Sequence, residues 1–331
     1  MALRTKLAIW FIFLATVILI LLASIRYAGY KDVFLNLFFV PMSIFLIGGM
    51  GWFLTKRAIK PLDEVVRVFH CISSGDLTHR IDINGAVTEI RELISAFNKM
   101  AAILETSFQQ IHEFSENVSH ELRTPLSILK GQTELSLKRV CSDDEYRSIL
   151  KSNLEEILRM EEITKRLLFL SKADQGEIEI NWSEIDMRGL LEWVKGKFEV
   201  YAREKKIQID FNVNGTEMVM GDDILLRELL FNLVQNAMKY TPEGGNITLS
   251  LERLNKEVLI AVTDTGIGIP EKVIPHIFDR FYQVDKSRSI QGSGLGLSIC
   301  KWIAESHRGR IIVDSMVDKG SKFKIYLPKI L

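Results

Sequence analysis

Two apolar runs near the N-terminus constrain this chain most. Residues 7–25 carry no charged side chain, and residues 33–54 are interrupted only by Asn36, Pro41 and small residues. A helix needs about 20 apolar residues to cross a bilayer core, where no water can satisfy its backbone. Both runs reach that length, so the expectation is two transmembrane helices at 7–25 and 33–54. The first is long for the apolar core of a cleaved leader, and no clean Ala-x-Ala site follows it. Residues 26–32 join the runs. Arg4, Lys6, Lys56, Arg57 and Lys60 lie outside the pair, against Arg26 and Lys31 within the connection. That bias predicts a multi-pass membrane protein with both termini cytoplasmic. The short connection leaves no room for an external sensor domain.

A hydrophobic content of 47% excludes a disordered polymer. Lys and Arg total 42, as do Asp and Glu, so the chain has no global field for gripping nucleic acid, and none is expected as a partner. Cys71, Cys141 and Cys300 form no Cys-x-x-Cys pair, which predicts a reduced setting for most of the chain.

Beyond Leu54 the chain gains charge. Pro61-Leu62 opens a stretch with Val65, Val66, Phe69 and Ile72 at helical spacing, and Gly75-Asp76-Leu77 ends it. A second amphipathic stretch starts near Glu89, with Leu93, Phe97, Met100 and Leu104 on one face. Pro61-Leu62, Gly75-Asp76-Leu77, Glu89 and Phe97-Asn98-x-Met100 together resemble a HAMP signal-relay module, which implies a parallel four-helix bundle made by two chains. Residues 106–138 then read as one long helix striped by Phe108, Ile111, Val118, Leu122, Leu126 and Leu129. Cys141-Ser142-Asp143-Asp144 is a polar break with capping residues, and a second helix is expected over 145–172. A lone helical hairpin would leave an apolar face wet, so dimerisation into a four-helix bundle is expected. From Gly176 onward, strand-like segments at 178–181, 207–213, 246–251, 258–263, 310–314 and 322–327 alternate with helices near 187–204, 223–239 and 297–307. This predicts an α/β sandwich.

Four motifs carry chemistry. The first is Ser119-His120-Glu121-Leu122-Arg123-Thr124-Pro125. Helical geometry turns His120 about 200° from Val118, away from the bundle core. Glu121 adjoins the ring and can orient its proton, leaving the other nitrogen nucleophilic. Pro125 lacks an amide donor and frees a carbonyl one turn back. Glu121 and Thr124 share a face, where the hydroxyl can hold an attacking water. In the second motif, Asn232 and Asn236 lie four apart and place two neutral amide oxygens on one helix face. Such oxygens suit Mg²⁺ arriving with phosphates, which Lys239 can also meet. The third, Asp264-Thr265-Gly266-Ile267-Gly268, follows an apolar strand. Its carboxylate can accept an adenine amine, and its glycines permit close ligand approach. An aspartic protease would need a second such aspartate, which the sequence lacks. The fourth, Gly292-Ser293-Gly294-Leu295-Gly296-Leu297, enters a helix whose N–H groups can cradle phosphates. Leu297 occupies the third glycine position of a dinucleotide fingerprint, so that reading fails. Lys286 and Arg288, between the last two motifs, are either neighbours of a terminal phosphate or a solvated basic loop.

These boxes, in this order and downstream of a membrane hairpin and relay module, resemble the transmembrane sensor histidine kinases of bacterial two-component systems. The resemblance covers about residues 55–331. It implies His120 as phosphoacceptor, Glu121 as its proton partner, and Thr124 in phosphatase activity toward a response regulator. It implies Asn236 as the Mg²⁺ ligand with Asn232 beside it, Asp264 as adenine reader, and Gly266, Gly268, Gly292, Gly294 and Gly296 as lid and phosphate-loop glycines. Lys239, Tyr240, Lys286, Arg288 and Leu297 complete the implied ATP site. The expected architecture is multidomain: a transmembrane hairpin (1–55), a HAMP relay (56–108), a dimerisation and phosphotransfer hairpin (109–174), and an α/β sandwich of the Bergerat ATP-binding fold (175–331). ATP and Mg²⁺ are the implied cofactors. A response regulator, a second copy of the chain and the membrane are the implied partners. The wording of the boxes is closest to heavy-metal-sensor kinases, but residues 26–32 contain no His, Met or Cys, so metal sensing is not expected. Relatives often carry an arginine where Gln283 stands. Either Lys286, Arg288 or Arg280 substitutes for it, or autokinase activity is weak.

Overall fold

The computed structural model describes residues 88–139, 142–213, 215–284 and 293–329, with scattered positions between Trp10 and Asp82. The expected membrane runs fall mostly outside the described residues, and among those described no helix is long and apolar enough to cross a membrane. Lys286, Arg288 and Gly292 also lie outside them. The chain divides into two compact units, Met1–Glu113 and Phe114–Leu331.

In the first unit, Val68, Ile81 and Ile94 are buried together, with Phe97 packed against them. The Asn98 side chain fixes the connector to the helix. Its Oδ1 accepts from the Ile81 amide at 3.1 Å, and its Nδ2 donates to the Ile81 carbonyl at 2.9 Å. One side chain thereby satisfies both backbone groups of a residue that has no ladder partner.

Helix α1 runs Thr88–Lys138 without interruption, so the expected start near residue 106 is absent. The hydroxyls of Thr106 and Ser107 fold back onto the carbonyls of Ala102 and Ile103, each at 2.9 Å, and so do not compete as a cap. Helix α2 spans Asp143–Gln175 and begins with a capping box: Ser142 Oγ accepts from the Glu145 amide, and the Glu145 carboxylate accepts from the Ser142 amide. Gly176 ends it in the left-handed region, at φ 68°.

The second unit continues as β1 (Ser183–Asp186), α3 (Met187–Glu204), β2 (Gln208–Val213), β3 (Met218–Gly221), α4 (Asp223–Tyr240), β4 (Asn246–Arg253), β5 (Glu257–Asp264), α5 (Gly296–Ser306), β6 (Arg310–Met316) and β7 (Gly320–Pro328). A five-stranded sheet has the order β2-β4-β5-β7-β6, antiparallel except for β2 beside β4. Buried and half-exposed residues alternate along β4 and β7, so one sheet face is covered. The cover is α3, α4 and α5, whose Leu191, Val194, Leu229, Leu233, Ile299 and Ile303 share a core with Ile247, Leu249, Ile260 and Ile325. β1 and β3 pair separately. The expected strand at 178–181 does not form: Asn181 donates its amide to the Asp222 carboxylate at 3.0 Å, not to a ladder.

Four contacts seat this sandwich on the hairpin. Phe114 of α1 meets Phe281 edge-on at 5.7 Å, and Phe169 of α2 meets Trp302 of α5 at 5.2 Å. Arg280 forks onto both Asp174 oxygens at 2.8 and 2.6 Å, and Arg166 reaches Asn232.

Candidate functional site

Helix α4 presents the asparagines because its start is firmly held. Asp222 Oδ1 accepts from the amides of Ile224 and Leu225, while the Asp222 amide donates to Nε2 of buried His307 at 2.9 Å. His307 Nδ1 donates to the Ile303 carbonyl at 2.8 Å, so the ring joins α4 to α5 as a neutral group, and burial holds its pKa below the usual value. From this start α4 buries Leu226, Leu229, Leu230 and Leu233 and carries Asn232, Asn236, Lys239 and Tyr240 to a cavity of about 1300 Å³.

Asp264, Gly268, Gly294, Gly296 and Leu297 line the same cavity, and α2 contributes Arg159 and Arg166. Asp264 is 6% exposed at the end of β5. Its Oδ1 accepts from the amides of Gly266 at 2.8 Å and Ser321 at 3.2 Å, and Oδ2 has no partner among the described residues. Burial pushes this carboxyl above its ordinary pKa, opposed by those two amides. Gly268 adopts φ +69°, and a Cβ there would lie 2.0 Å from the Met316 carbonyl oxygen. Only glycine allows the chain to pass so close beneath the cavity.

Asn232 is 2% exposed and fully engaged. Its Nδ2 donates to the Glu228 carbonyl and carboxylate, and its Oδ1 accepts from Arg166 Nη2 at 3.2 Å. Burial, then Arg159 and Arg166, hold Lys239 below the usual lysine pKa, while burial raises that of Tyr240. His120 is exposed on α1 and does not line the cavity; nor do Glu121 and Thr124. Glu121 faces Arg159 at 4.0 Å, and the Thr124 hydroxyl donates to the His120 carbonyl at 3.3 Å. Pro125 is buried within the continuous helix. Gln283 lines the cavity, whereas Arg280 is committed to Asp174.

Arg159 and Arg166 belong to none of the four sequence motifs. Both lie on a helix read for its apolar stripe, and Asn232 is 66 positions from Arg166. Their only local signal is a spacing of seven residues, which puts both on one helical face.

A helical hairpin with an exposed histidine, joined to an α/β sandwich with an asparagine- and glycine-lined cavity, defines an ATPase-type domain coupled to a phosphoacceptor. Comparison with known proteins supports that class. Residues 221–330 match the histidine kinase-, DNA gyrase B- and HSP90-like ATPase family, residues 110–176 the His Kinase A (phospho-acceptor) domain, and residues 53–106 the HAMP domain. The chain belongs to the HAMP-containing sensor histidine kinases. It is 35% identical over 270 residues to the sensor histidine kinase CusS of Escherichia coli K12, covering 81% of this chain and 56% of that protein. It is 31% identical over 289 residues to the sensor protein CzcS of Cupriavidus metallidurans, covering 87% and 60%. The chain thus spans little more than half the length of these relatives. Among solved structures, histidine kinase ThkA in complex with response regulator protein TrrA aligns with a TM-score of 0.57 at 28% identity, over 68% of this chain and 64% of that one. Acinetobacter baumannii histidine kinase AdeS shares the fold, with a TM-score of 0.55 at 24% identity, over 64% of this chain and 98% of that one.

Proposed function

We propose that this chain is an ATP-dependent protein-histidine kinase that phosphorylates His120 and passes the phosphoryl group to an aspartate of a response regulator. One observation carries the reading. A single unit joins a cavity lined by Asn232, Asn236, Lys239, Asp264, Gly294 and Gly296 to a hairpin that holds His120 exposed. Adenosine triphosphate fits that cavity: Asp264 Oδ2 is open to an exocyclic amine, and Gly268 keeps its floor clear of a side chain. Mg²⁺ fits the donor set, because Asn236 offers a neutral amide oxygen and the phosphates balance a hard cation's charge. Asn236 would hold the ion, with Asn232 beside it. Bound Mg²⁺ supplies neutralisation of phosphate charge during transfer.

A neutral ring nitrogen of His120 attacks the γ-phosphorus in line. The N–P bond forms as the bond to the β–γ bridging oxygen breaks, and ADP leaves with that oxygen. Glu121 holds the proton on the other ring nitrogen. Because His120 lies off the cavity, the ATP-binding domain moves on the hairpin before transfer. The proposed lid follows Gly266 and Gly268; Lys286, Arg288 and Gly292 within it lie outside the described residues. Thr124, exposed one turn from His120, orients water for dephosphorylation of the regulator. Two chains pair through the hairpins, and the two apolar runs anchor them in the inner membrane with both termini cytoplasmic. Incubation with γ-labelled ATP should label wild type and leave His120→Gln unlabelled; equal labelling of the two refutes the reading.

A further inference from the structure

Arg166 is 16% exposed, which is deep for a guanidinium. Its Nη2 serves both Asn232 at 3.2 Å and Glu162 at 2.5 Å. Its Nε and Nη1 donate to no group among the described residues, although a guanidinium carries five N–H donors in a fixed fork. A Cβ at Gly296 would lie 3.5 Å from Nη1 and 3.3 Å from Asn232 Oδ1, so the glycine leaves this corner open. Gly296 is also the first residue of α5, where unpaired backbone N–H groups and the helix dipole disfavour a neighbouring cation and favour an anion.

Lys239 lines the same cavity, and no carboxylate among the described residues pairs with it. Arg159 is only loosely answered by Glu121 at 4.0 Å. Glu155, Glu156 and Glu162 line the same cavity, and of these only Glu162 pairs with a cation of the cluster. Free donors, a second cation and a helix N-terminus therefore converge beside Asn232. An anion with several oxygens would satisfy all three.

We propose that Arg166, supplied by the hairpin and not by the ATP-binding domain, is a phosphate-binding residue of the nucleotide site, so that the site is complete only when the domain is docked on α2. This rests on the kinase reading above and deepens it. The ligand chemistry is the β- and γ-phosphates of a nucleoside triphosphate, for which a guanidinium offers paired N–H donors.

The test uses the full chain in detergent. ATP, ADP and adenosine each displace a fluorescent adenine nucleotide from wild type, Arg166→Gln and Arg166→Lys. Arg166→Gln should weaken ATP about tenfold or more. Its adenosine affinity should stay within about twofold of wild type, because Asp264 reads the base elsewhere. Arg166→Lys should recover part of the ATP affinity. Equal weakening of adenosine would mean a structural role and overturn the proposal. So would unchanged ATP affinity, or tighter ATP binding, which would make Arg166 a plug that nucleotide must expel. If wild type is labelled at His120 while Arg166→Gln binds ATP normally, only this inference fails. If wild type binds no adenine nucleotide, both readings fail.

Discussion

At Asp264 the two carboxylate oxygens have separate duties. The amides of Gly266 and Ser321 hold Oδ1, and Oδ2 is left to the cavity. In Asp264→Asn the amide oxygen takes over the first duty, which turns an NH₂ donor toward the place proposed for an adenine amine. Donor then faces donor. ATP affinity should fall roughly 10- to 100-fold with little loss of fold. The preference for ATP over GTP should also shrink, since guanine presents an acceptor oxygen at that position; competition binding with both nucleotides checks this. His307 gives a prediction about pH. Its ring accepts from Asp222 and donates to Ile303, and burial lowers its pKa in the folded chain. The unfolded chain therefore takes up a proton first. Its stabilising contribution is complete above about pH 6.5 and is lost as pH falls toward the folded value. Denaturant melts at pH 7.5 and 5.5 should show a larger acid loss for wild type than for His307→Gln. Asp264 and the asparagine pair were legible as residues because their chemistry is local in sequence: a carboxylate before glycines, and two amides one turn apart. Neither His307 nor Arg166 has such a signature. Each gains its meaning from a partner brought near by the fold, at Asp222 and Asn232.

Among the elements, helices were easier to read than short strands. The helix expected near 187–204 forms as Met187–Glu204, with Leu190, Leu191, Val194 and Phe198 buried along it and Asp186 as its cap. The sequence pattern does not announce the four-residue β3, whereas 178–181 alternates like a strand and forms none. Neither alternation nor propensity says whether an amide will meet a ladder or, as at Asn181, an aspartate from the start of α4. Two glycines show the same divide between local and tertiary control. Gly196 lies exposed inside α3, and a Cβ there meets nothing within 4 Å. Gly196→Ala should stabilise the chain by about 0.5–1 kcal/mol, by lowering the entropy of the unfolded state. Gly268 has the opposite surroundings: a positive φ and a backbone oxygen 2.0 Å from the added carbon. Gly268→Ala should cost roughly 3 kcal/mol through strain and overpacking. Thermal unfolding of the two variants beside wild type measures both signs at once.

Across the whole molecule, the hairpin's second helix is finished on one side only. Leu170 and Ile163 are buried toward the ATP-binding domain, whereas Leu150, Leu154 and Ile157 are 66%, 54% and 51% exposed. Those three fall at i, i+4 and i+7, a single stripe. Leu126 and Leu135 of α1 are 57% and 62% exposed as well. An apolar stripe of this length is poorly tolerated in water, and full burial is worth about 1.5–3 kcal/mol for each leucine or isoleucine. A second copy of the same hairpin, the pairing proposed above, would cover it with an identical stripe, and a two-fold axis would satisfy both faces at once. Charging the stripe should therefore dissociate the protein without disturbing the nucleotide cavity, whose α2 residues occupy the other side. The double variant Leu150→Glu/Leu154→Glu should have the mass of one chain by light scattering in detergent where wild type has that of two. It should still bind ATP. Persistence of the dimer in that variant would mean that these leucines do not form the seam.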